Sequence, residues 1–131
     1  MTRFLVLAAA LTLTALTAPA QAAQSALPGN WLQISVTKNK GQSSDMRGTL
    51  LVCNDVPQGH AKAAEACAQL AEAGGDIGAV PPRDIMCTLE YAPVTARARG
   101  QWDGKSVHYE KTFDNKCQMG AETGDVFALD R

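Results

Sequence analysis

In WLQISVTK, residues 31–38, Leu32, Ile34 and Val36 alternate with polar neighbours. A period of two predicts a strand with one buried and one solvated face. GTLLVC, residues 48–53, predicts a second strand, and the polar stretch from 39 to 48, with Gly41 and Gly48, reads as the connection between them. The period then changes. AKAAEACAQLAEA, residues 61–73, is alanine-rich and is followed by Gly74 and Gly75, which is the composition of a helix and of its stop. Cys67 falls in the middle of that helix, on or near a face with Ala63, Ala64, Leu70 and Ala71 that is expected to pack.

The most informative pattern is VTARARGQWDGKSVHYEKTF, residues 94–113, where Asp103-Gly104 supplies the two left-handed residues of a tight hairpin turn between alternating arms. Pairing Trp102 with Lys105 sets the whole register. One face then pairs Val94 with Phe113, Ala98 with Tyr109 and Gly100 with Val107, and the other pairs Thr95 with Thr112 and Arg97 with Glu110. Apolar meets apolar, hydroxyl meets hydroxyl and cation meets anion, so both faces agree with one register. The last segment, DVFALDR, offers Val126, Phe127 and Leu129 for a short closing strand. The expected fold class is α+β: an antiparallel β-sheet with one or two packed helices.

Residues 1–23, MTRFLVLAAALTLTALTAPAQAA, run from Arg3 through an apolar stretch to small residues at Ala18, Ala20, Ala22 and Ala23. This is the layout of a secretory signal peptide, and the apolar run is too short for a membrane span. Residues 24–131 remain as one domain, opening on the Pro- and Gly-containing lead-in QSALPGN, and the protein is expected to be secreted and not held in a membrane. The chain has 12 basic and 13 acidic residues, and loss of Arg3 leaves a mature net charge of about −2. Nothing in it is basic enough to suggest nucleic acid.

An exported chain with an even number of cysteines reads as disulfide-bonded, and Cys53, Cys67, Cys87 and Cys117 allow three pairings. The hairpin register chooses among them. Cys87 and Cys117 fall close together just beyond its open end, which leaves Cys53 for Cys67. Metal binding is not expected, since no CxxC pair occurs and His60 and His108 lack zinc-finger spacing from the cysteines.

Candidate chemistry is sparse. His60 and His108 sit in no nucleophile motif, and the acidic residues form no recognisable acid/base pair, so the chain is not expected to be an enzyme. AGGDIGAV, residues 73–80, follows a helix and has no Lys-Ser/Thr after it, and so reads as a helix stop and not a phosphate loop. There remains IMCTLEYAPV, residues 85–94, which places Leu89 in a segment that the bridge from Cys87 ties to the far side of the hairpin. Held in this way, Met86, Thr88, Leu89 and Tyr91 could be an ordinary core strand, or could point outward in a fixed shape suited to another protein's cleft.

A resemblance decides between these readings. CAQLAEAGGD at 67–76, MC at 86–87, Tyr91, Pro93-Val94, GQWDGKSVHYEKTFDNKC at 100–117 and VFA at 126–128 together resemble the Streptomyces subtilisin inhibitor family of secreted serine protease inhibitors. That resemblance implies the same two disulfides and a reactive bond between Leu89 and Glu90. Met86, Cys87 and Thr88 would lead into the bond and Tyr91 out of it, with Asn115 supporting the loop from behind. It also implies a homodimer that needs no cofactor and whose partners are serine proteases of the subtilisin type, with chymotrypsin-like enzymes as further candidates. An apolar pocket accepts Leu89, whereas a trypsin-type pocket would leave its aspartate unpaired. Thr88 departs from the proline frequent in the family, and Glu90 puts a charge where apolar residues are more usual. The competing expectation is a secreted binding protein or transglutaminase substrate on the same scaffold.

Overall fold

A computed structural model describes residues 27–41 and 43–130. The signal-peptide reading lies outside the described residues. Four strands form one antiparallel sheet: β1 (Trp31–Lys40), β2 (Ser43–Val52), β3 (Val94–Trp102) and β4 (Lys105–Phe113), in the order β2-β1-β3-β4. Two helices, α1 (Ala63–Glu72) and α2 (Lys116–Thr123), complete the α+β architecture with a short 3-10 turn at Ile77–Ala79.

The alternation along β1 points Leu32, Ile34 and Val36 into the core, where they meet Leu51, Ala96, Ala98, Leu70, Val126 and Phe127. Cross-strand partners share a face, so the paired Ile34 and Ala98 enter the core together. The β3–β4 register is the one the sequence predicts, from Trp102 opposite Lys105 to Val94 opposite Phe113. Asp103 and Gly104 have φ of 47° and 77° as the turn requires, Thr95 and Thr112 share a hydroxyl hydrogen bond, and Arg97 is ion-paired to Glu110. Both disulfides are present, Cys53 to Cys67 and Cys87 to Cys117.

Four expectations are corrected. Residues 39–48 are not merely a connection: β1 runs on to Lys40, and β2 begins at Ser43. Its residues 43–48 are exposed, so no apolar alternation marks them as strand, and hydrogen bonding to β1 alone makes them one. The segment from 126 to 129 buries Val126 and Phe127 but is no strand. Its backbone is committed locally, Val126 N–H to the Thr123 carbonyl, Ala128 N–H to that of Asp125 and Leu129 N–H to that of Phe127, which leaves no ladder to extend.

The helix begins at Ala63, not Ala61, and buries Ala63, Ala66, Cys67 and Leu70, while Ala64 and Ala71 face solvent. An alanine-only pattern carries little amphipathic information, and the Cys53 bridge together with Leu70 sets the rotation. Gly75, at φ 82°, lets the chain pass Trp102 so closely that a Cβ there would lie 2.3 Å from the indole ring. α2 was not placed by the apolar pattern at all. Asn115 caps its N-terminus and Gly124, at φ 61°, follows its C-terminus, the stop and start signals of a helix whose sequence has no clear apolar stripe.

Candidate functional site

Between two buried valines, Val80 and Val94, the chain crosses the surface from 81 to 93 without regular secondary structure. Here it displays side chains that would ordinarily be inside. Met86 is 99%, Leu89 97% and Tyr91 77% exposed. Burying a leucine or methionine side chain is worth about 1.5–3 kcal/mol, so a cluster of them held in water is a surface prepared for contact.

The backbone that carries these side chains is held from behind. Cys87 is joined to Cys117 in the first turn of α2, with Cα atoms 5.7 Å apart. Asn115, only 6% exposed, uses every polar atom of its side chain. Oδ1 accepts from Gln118 N–H at 2.9 Å and caps α2, while Nδ2 donates to the Thr88 carbonyl at 3.3 Å and to the Glu90 carbonyl at 2.8 Å. One amide therefore grips the residue on each side of Leu89. Further along, Ala92 N–H donates to the Asp114 carbonyl at 2.8 Å, and Asn39 N–H to the Pro93 carbonyl at 3.2 Å.

The residues singled out from the sequence thus gather on one feature. Met86, Thr88, Leu89, Glu90 and Tyr91 stand exposed along the segment, Cys87 is half-buried at its bridge, and Asn115 lies beneath. The arrangement excludes the core-strand alternative for this segment. A cavity of about 310 Å³ opens behind it, lined by Lys38, Lys40, Thr88, Glu90, Pro93 and Lys116 among others. Burial holds the Lys116 ammonium below the ordinary lysine value, with repulsion from Lys38 and Arg47 adding to the effect. The Asp130 carboxylate sits against both Lys116 and Arg47.

The histidines lie elsewhere. The His60 ring bridges Lys62 N–H and the Val126 carbonyl at the start of α1, and His108 is exposed on β4 opposite Arg99. Among the described residues no group of three or more His, Cys, Asp or Glu side chains could hold a metal ion, and no helix is long and apolar enough to cross a membrane. Sequence reasoning missed Arg83, whose N–H donates to the Ala121 carbonyl at 2.7 Å and whose guanidinium meets the Asp125 carboxylate. No spacing rule links positions 83 and 125.

Comparison with known proteins agrees with this geometry. The model of the subtilisin inhibitor-like family matches residues 28–115. A Streptomyces avermitilis protein named provisionally as a serine protease inhibitor is 51% identical over 113 residues, covering 86% of this chain and 76% of its own. The subtilisin inhibitor of Streptomyces albogriseolus is 38% identical over 126 residues, covering 93% of this chain and 88% of its own. Among solved structures, Streptomyces caespitosus sermetstatin, crystallised in complex with Bacillus licheniformis subtilisin, superposes with a TM-score of 0.54 at 26% identity, over 76% of this chain and 100% of that one. With the sheet, both disulfides and the exposed, back-braced segment in place, the chain belongs to the subtilisin inhibitor-like family.

Proposed function

We propose that this protein is a secreted inhibitor of subtilisin-type serine proteases that offers Leu89–Glu90 as a substrate-like bond. The observation that carries the proposal is the contrast at Leu89: its side chain is 97% exposed, while the carbonyls of Thr88 and Glu90 on either side are both bound by buried Asn115. The side chain is free to fill a protease's primary pocket, and the backbone is not free to move. Little ordering cost is left for binding.

The chemistry follows from that restraint. The protease serine attacks the Leu89 carbonyl carbon, and hydrolysis is completed only if the amine of Glu90 departs and water takes its place. Glu90 stays tied to Asn115, and Cys87, just upstream, stays tied to Cys117. The amine is kept beside the acyl carbon, at high effective concentration, and re-forming the bond outruns hydrolysis. Met86, 99% exposed three positions upstream of Leu89, supplies a second apolar contact. Thr88, lacking a proline ring, relies on Asn115 for its fixed backbone.

Residues 1–23 direct export. Two copies pair through the sheet face opposite the helices, where Met46, Gln33, Arg97, Arg99 and Glu110 are exposed. Pairing there leaves the loop, at the end of the sheet, uncovered in each copy. Light scattering on the mature protein checks the dimer.

The deciding experiment titrates subtilisin, chymotrypsin and trypsin with the mature protein. Equimolar loss of subtilisin activity, with trypsin spared, is expected. Full activity of all three at excess protein would leave the scaffold as a secreted binding protein or transglutaminase substrate.

A further inference from the structure

We infer that Arg83 is a positioning residue for the upstream limb of the loop, acting through Asp125 and Gln69; the inference rests on the proposal that this loop is the protease-binding segment. The limb runs beside α2. Cys87 is tied to Cys117 at the start of that helix, and Arg83 is tied by its N–H to Ala121 in the last turn and by its guanidinium to Asp125 just past the end. Asp125 is not a loose surface carboxylate. Its side chain is 15% exposed, it accepts from Gln69 Nε2 at 2.9 Å, and its own N–H donates to Gln69 Oε1 at 2.7 Å. Gln69 belongs to α1, which Cys53–Cys67 fastens to the end of β2. Arg83 is thereby referred to the body of the fold through two helices.

What this tether positions is set by where the others lie. Asp84, Ile85 and Met86 lie between the Arg83 anchor and the Cys87 bridge, and among the described residues their one backbone hydrogen bond is Ile85 N–H to the Arg83 carbonyl at 3.0 Å. Leu89, by contrast, is bracketed by Cys87 and by both Asn115 hydrogen bonds. Loss of the guanidinium tie leaves the Arg83 N–H bond to Ala121 as the anchor on that side, so it loosens Met86 and leaves Leu89 in place. A side chain that must be ordered on binding contributes less to affinity than one already fixed.

The test is a pair of double-mutant cycles read as inhibition constants against subtilisin. Arg83→Met should weaken inhibition roughly fivefold to tenfold, the scale of one ordinary hydrogen bond, since the Arg83 side chain is 41% exposed and solvent screens its charge, and Asp125→Asn should move it in the same direction. In a Met86→Gly background the Arg83→Met penalty should vanish, because there is no side chain left to position. In a Leu89→Ala background it should persist in full, the two effects multiplying within about twofold, as for independent sites. Thermal melts confirm that each variant is folded. An Arg83→Met penalty that is unchanged without Met86, or an inhibition constant that does not move, overturns the inference and leaves the proposed inhibitor function standing. A wild-type protein that does not inhibit subtilisin overturns both.

Discussion

Asn115→Asp separates the two tasks that one side chain performs. Asn115 caps α2 through Oδ1 and grips the loop through Nδ2. An aspartate keeps an acceptor for Gln118 N–H and is as good a cap as asparagine, with its charge well placed at a helix N-terminus. It has nothing to donate. The hydrogen bonds to Thr88 and Glu90 are lost, and a carboxylate oxygen faces two carbonyl lone pairs in a site where the native side chain is 6% exposed. At about 0.5–1.5 kcal/mol per bond, with the 3.3 Å bond at the low end, the loop loses about 1–2 kcal/mol of fixation. That corresponds to a roughly five- to thirtyfold rise in the inhibition constant. Losing these bonds and burying a carboxylate there should also lower the melting temperature; Asn115→Ala loses both bonds and the cap as well, the cap alone being worth about 1 kcal/mol. The assay combines inhibition constants against subtilisin, a days-long equimolar incubation followed by mass spectrometry for cutting at Leu89–Glu90, and a thermal melt. Asn115→Asp should inhibit more weakly and be cut faster while still folded at the assay temperature. If it inhibits as tightly as the wild type and stays uncut, the loop is not held by this amide and the account of inhibition fails.

Replacing Cys87 and Cys117 together by serine opens a loop whose closure is worth roughly 3.5–4 kcal/mol by the chain-entropy treatment; the variant should become a substrate consumed with time, and a persistent, uncut inhibitor on a denaturing gel would show that the bridge plays no part. Leu89→Lys should transfer inhibition toward trypsin, whose pocket aspartate meets the new ammonium, and away from chymotrypsin, where the charge is buried unpaired. Three inhibition constants that move together would mean that Leu89 does not enter the pocket. On the open face of the sheet, the hydrogen bond and charge of Arg97 hold the Glu110 carboxyl below its ordinary value. A carboxyl lowered on folding stabilises above its unfolded pKa and stops doing so as pH falls through the folded one. The difference in urea stability between wild type and Glu110→Gln should therefore close over that acid range, and a difference that survives below it would refute the proton-linked origin.

The hairpin was legible because every signal in it is local. Asp103-Gly104 fixes the turn, a two-residue turn fixes the register, and the register brings Val94 to Phe113, Arg97 to Glu110 and the ends at Cys87 and Cys117 together. Once that pairing is known, Cys53 with Cys67 follows by elimination. The roles of the loop residues and of Asn115 rest on resemblance, since the composition of residues 86–91 alone favours a core strand.

Elsewhere the decision was tertiary. Residues 43–48 are strand because β1 offers hydrogen-bonding partners, not because of any apolar alternation. Val126 and Phe127 carry the apolar signature of buried residues, and they are buried; yet local turn hydrogen bonds, invisible to a hydropathy pattern, keep them from forming a strand. The face that α1 buries depends on Cys53 and Leu70 more than on alanines that fit either side. That Leu89 stands in solvent is likewise set from a distance, by Cys117 and Asn115 lying beneath it. Sequence determines what is decided between neighbours and across a tight turn; where two segments far apart compete for the same hydrogen bonds and the same core, only their assembled geometry decides.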